Sequence, residues 1–74
     1  MESEDIAYEI LLTTDDEPKP ITIFTGDDRK EADSMFAAVV RVYREGGYAP
    51  EVTKAALVSK RTGKKTKTIR EVTA

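Results

Sequence analysis

The residues best suited to chemistry in this chain are the cations of its last third. Lys60-Arg61-Thr62-Gly63-Lys64-Lys65-Thr66-Lys67-Thr68-Ile69-Arg70 carries five Lys or Arg side chains within the eight residues from Lys60 to Lys67. A basic two-stranded ribbon of this kind tracks a phosphate backbone or enters a major groove, and each neutralised phosphate releases counterions. The interleaved Thr hydroxyls are further donors to phosphate oxygens. The segment contains no aromatic residue for base stacking, and charge on an edge strand also serves simply to keep it soluble.

Acids form the second group. Asp15-Asp16-Glu17 and Asp27-Asp28 are two short clusters, but neither has the spacing of a calcium loop, and no metal site is expected. The chain has neither His nor Cys, so it lacks the commonest general base, the most reactive nucleophile and the usual zinc ligands. Gly63-Lys64-Lys65-Thr66 ends like a P-loop but lacks the first Gly and the strand-to-helix setting. A non-catalytic protein without a cofactor is the expectation.

The two groups are separated along the chain. Residues 1–34 hold eleven acids against three bases, and residues 52–74 hold seven bases against one acid. The formal net charge of −2 conceals this asymmetry, which is a hint of a macromolecular partner.

Periodicity supplies the elements that position these residues. Ile6, Tyr8, Ile10 and Leu12 alternate with Ala7, Glu9, Leu11 and Thr13, the period of a strand. A Pro-containing acidic loop follows, and Ile21-Thr22-Ile23-Phe24-Thr25 reads as a second strand. Asp28 has the position of a helix N-cap, with Glu31 completing a capping box. The predicted helix runs from Arg29 to about Glu45, with Ala32, Met35, Phe36, Val39, Val40 and Tyr43 on its apolar face, and Gly46-Gly47 stops it. Val52–Lys60 and Thr66–Thr73 are predicted strands joined by a turn at Arg61–Lys64.

These elements predict one α+β domain over residues 1–74, ββαββ, with residues 1–5 as a disordered tail. A right-handed crossover gives a four-stranded antiparallel sheet of order 2-1-3-4 with the helix packed on one face. Strict alternation then puts Leu11 and Phe24 together on the face the helix leaves open, as a small apolar patch. Tyr8 and Tyr43 are expected at the core edge, and Tyr48 in an exposed loop. No apolar run approaches the roughly 20 residues of a membrane span. The N-terminus is acidic, unlike a signal peptide, and Met1 is read as the start of a complete, cytoplasmic chain.

Two functional classes follow. The first is a protein-interaction module whose partner meets Leu11 and Phe24, an edge strand, or the acidic residues Asp15, Asp16, Glu17, Asp27 and Asp28. By fold-level analogy it looks like the small accessory or inhibitor proteins of phages and mobile elements. The second is a nucleic-acid-binding protein that uses Lys60, Arg61, Lys64, Lys65, Lys67 and Arg70. A homodimer through strand 4 is compatible with either.

Overall fold

The computed structural model describes residues 6–48 and 50–73; the expected N-terminal tail lies outside them. The chain forms β1 (Ile6–Thr14), β2 (Ile21–Gly26), α1 (Arg29–Arg44), β3 (Val52–Arg61) and β4 (Lys67–Thr73). The strands make one antiparallel sheet of order β2-β1-β3-β4, the α+β topology predicted from the pattern.

Capping fixes both ends of α1. The Asp28 carboxylate accepts a 2.9 Å hydrogen bond from the Lys30 backbone N–H, satisfying one free donor of the first turn. At the other end Gly46 has φ +77°. The Gly46 N–H donates to the Tyr43 carbonyl and the Gly47 N–H to the Val42 carbonyl, the paired bonds of a Schellman motif.

The core lies between α1 and one face of the sheet. Ile10, Leu12, Ala55 and Leu57 from the central strands meet Ala32, Phe36 and Val39 from the helix. Phe36, Ile10 and Leu57 are the largest fully buried side chains, each contributing about 1.5–3 kcal/mol by leaving water. The helix packs over β2, β1 and β3. Over the fourth strand Arg70 extends back, its guanidinium 5.6 Å from the centre of the Phe36 ring, a cation–π contact that roofs this side of the core.

Two irregularities alter the predicted faces. Ile10 pairs with Phe24 whereas Leu11 pairs with Thr22, leaving Ile23 as the extra residue of a β-bulge. The bulge reverses the parity of Phe24. It faces the helix side with Ile10 and packs, half-buried, against the core. The expected Leu11–Phe24 patch on the open face is therefore not formed. Gly26 lies beneath the Phe24 ring, where an added Cβ would sit 2.9 Å from Cζ; its role is to leave room, and it closes β2 instead of breaking it. The second bulge, at Leu57/Val58 of the β3–β4 ladder, leaves Ile69 unpaired and turned toward the core edge.

The helix face differs from expectation at Met35, which is 41% exposed. Tyr8, Tyr43 and Tyr48 are all half-buried; Tyr48 packs against the core instead of standing in solvent.

Candidate functional site

The sheet extends past the first turn of the helix. Ile6 pairs with Arg61, Tyr8 with Ser59, and Ser59 with Lys67, so all five side chains lie on the helix face beyond the point where the helix covers it. The β3–β4 turn closes on Gly63, at φ +76°, with a 3.0 Å hydrogen bond from the Lys64 N–H to the Arg61 carbonyl. The result is a cleft of about 560 Å³ floored by Ile6, Tyr8, Ser59 and Ile69 and lined by Arg29, Arg61, Lys64, Lys65 and Lys67.

Among the described residues no carboxylate lines this cleft. Arg29 stands on its helix wall, 5.9 Å from the Tyr8 ring centre and 3.3 Å from the Asp33 carboxylate. Among the described residues, Lys64, Lys65 and Lys67 have no ion-pair partner. They are exposed, and their mutual repulsion is relieved by anything that supplies negative charge between them.

Four of the six predicted basic residues are thus brought together, and two are not. Lys60 lies on the opposite face, paired with Glu9 at 3.2 Å. Arg70 is committed to the Phe36 ring. Neither lines the cleft. Arg29 and Tyr8 were missed by reasoning along the chain, because the helix start and the first strand meet the hairpin only through the crossover. Tyr8 supplies an aromatic ring beside the hairpin, whose own sequence has none.

The predicted protein-binding residues are dispersed. Asp15, Asp16 and Glu17 follow β1 at one end of the sheet, and Asp27 and Asp28 follow β2 at the other. Leu11 is on the open face between Thr22 and Ala56, half-buried. Its neighbours Ala56 and Val58 are only 6% and 3% exposed. The Glu9–Lys60 pair and a 3.4 Å Lys54–Glu71 pair flank them. This face offers little free apolar surface.

A second cavity of about 380 Å³ sits at the far end of the helix, between Tyr43, Arg44 and Tyr48 on one side and Val52, Val72 and Thr73 on the other. Among the described residues no three His, Cys, Asp or Glu side chains gather as a metal site, and no helix is long and apolar enough to cross a membrane.

Comparison with known protein families, with curated proteins and with solved structures finds no match. The functional reading therefore rests on the cleft itself.

Proposed function

We propose that this protein is a non-catalytic nucleic-acid-binding module that holds a single strand by its phosphate backbone in the basic cleft. The observation that carries this reading is the convergence of five cationic side chains from the helix start and the β3–β4 turn, with no carboxylate among the described residues that line the cleft. Phosphate contacts of this type position a strand without reading its sequence. Tyr8 and the planar Arg29 guanidinium provide surfaces on which a base can rest.

Selection for a single strand comes from the surroundings. Asp27 and Asp28 of the β2–α1 junction, Glu31 of the first helical turn and Asp33, 3.3 Å from Arg29, are acids of the same end of the sheet, and a wide duplex lying across that end meets their negative charge. A narrow backbone threaded between Arg29 and Lys64 avoids them. The acidic total, with a sequence pI near 5.1, limits adhesion elsewhere on the surface.

Fluorescence anisotropy with labelled single-stranded RNA, single-stranded DNA and duplex DNA, at low and near-physiological salt, tests this. Binding of single strands that weakens steeply with salt supports the reading. Absence of binding at low salt overturns it and directs attention to a protein partner.

A further inference from the structure

The two edges of the sheet are complementary to one another. From Ile21 to Gly26, β2 has no charged residue, and its outer edge is unpaired among the described residues. Ile21 and Ile23 are 48% and 39% exposed, and with Met35 and Val42 they are the exposed large hydrophobics among the described residues.

All four lie on one flank. Successive helical residues turn by about 100°. Arg44, one residue after Tyr43, lines a cavity together with Val72 and Thr73 of β4. Met35 and Val42, one residue before Phe36 and Tyr43, therefore project the other way, toward β2. Glu31, one residue before buried Ala32, agrees: its Oε1 lies 3.5 Å from where a Cβ on Gly26 would stand. Acids frame this apolar flank, with Asp15, Asp16 and Glu17 in the loop before β2 and Asp27, Asp28 and Glu31 after it.

The β4 edge has the opposite character. It carries Lys67 and Arg70, is preceded by Lys64 and Lys65, and turns Ile69 and Val72 toward the core edge. The separation of charge along the chain thus becomes a lateral separation, acidic at the β2 edge and basic at the β4 edge.

We infer that the protein associates with itself head to tail, the β4 edge of one copy adding to the β2 edge of the next. Strand polarity permits this by simple translation. The three antiparallel pairings make β2 and β4 run in opposite directions, so a copy moved sideways presents β4 antiparallel to β2. In that arrangement Val72 meets Ile21, Arg70 meets Phe24 and Lys67 meets Gly26, and the Lys64–Lys67 turn meets Asp27, Asp28 and Glu31. Main-chain hydrogen bonds extend the sheet and the charges set the register.

Symmetric pairings lack these features. Two β2 edges related by a twofold axis bring Asp15–Glu17 of each copy against Asp27 and Asp28 of the other. Two β4 edges bring their central Arg70 residues together. The head-to-tail contact is heterologous, and strand twist turns each added copy, so the product is an open, helical row and not a ring. This inference does not depend on the cleft binding nucleic acid.

Sedimentation velocity over a concentration series at low salt tests it. The wild-type protein is expected to form a progressive series of oligomers that shortens as salt rises. Ile23→Lys blocks the β2 edge, and the triple change Lys64→Glu, Lys65→Glu, Lys67→Glu reverses the β4 edge. Each variant alone should sediment as a monomer, while an equimolar mixture should yield a species of twice the monomer mass. That mixture also shows that both variants are folded. Asp27→Lys serves in place of Ile23→Lys if circular dichroism finds the latter unfolded. A wild-type protein that stays monomeric throughout, a discrete dimer that survives either variant, or a mixture that stays monomeric overturns the inference.

Discussion

Replacing Lys64, Lys65 and Lys67 by alanine should flatten the salt dependence of single-strand binding. The three side chains are exposed and have no ion-pair partner among the described residues, so their removal costs the fold little. On a single strand each neutralised phosphate contributes about 0.7 to the log–log slope of affinity against salt, so five cleft cations set an upper slope near −3.5 and the triple variant about −1.4. Between about 50 and 200 mM salt, the wild-type affinity then falls ~100-fold and that of the variant ~7-fold. Arg29, shared with Asp33 at 3.3 Å, and Arg61, which has an interaction of its own, draw the wild-type value somewhat below this bound. Anisotropy titrations of one labelled oligonucleotide at four or more salt concentrations measure both slopes. A slope change under about one unit would refute the claim that these lysines meet phosphates. So would a loss of affinity that differs between oligonucleotide sequences, since phosphate contacts act on all sequences alike.

Other perturbations separate the cleft from its scaffold. Lys60→Ala should leave the salt slope unchanged in the same titration, because Lys60 points to the opposite face toward Glu9. Phe36→Ala removes the largest fully buried side chain and should cost about 3–5 kcal/mol in urea unfolding, enough to unfold a marginal domain. Gly26→Ala forces the Phe24 ring aside from a 2.9 Å overlap; urea unfolding should record a loss of about 1–3 kcal/mol, as for other overpacked sites. Gly46→Ala, at φ +77° with open space around it, should cost about 1 kcal/mol from backbone conformation alone, with nucleic-acid binding intact.

The elements and their order were legible because each local signal agreed with the global one. The Asp28 cap, the Gly46-Gly47 stop and the apolar spacing of α1 act over a few residues, and strand alternation needs no knowledge of partners. The faces of individual residues were less legible. A bulge is a relation between two strands, so nothing in Ile21–Thr25 announces that Ile23 is the extra residue and that Phe24 turns inward. The cleft was half legible for a similar reason. Arg61, Lys64, Lys65 and Lys67 are neighbours in sequence, whereas Arg29 and Tyr8 join them only because β1 and β3 are adjacent and the helix starts above them. Lys60 and Arg70 look like members of the same basic run. Strand parity sends Lys60 to the other face, and a ring beneath the helix takes Arg70.

The position of β1 in the sheet has a consequence for how the chain is made. Its partners on β3 lie far away in sequence, from Ile6 with Arg61 to Leu12 with Ala55. A growing chain that has reached the end of α1 holds only the β1–β2 hairpin and an amphipathic helix. Two strands alone are marginal in water, and one edge of the central strand, with Ile10 and Leu12 beside it, waits for a partner. Folding during synthesis therefore completes only after Val52–Arg61 emerges, and such non-local pairing is slow to nucleate. The last third of the chain bears four of the five cleft cations and closes the fold, so a polypeptide truncated before β3 should lose its tertiary structure together with those four cations.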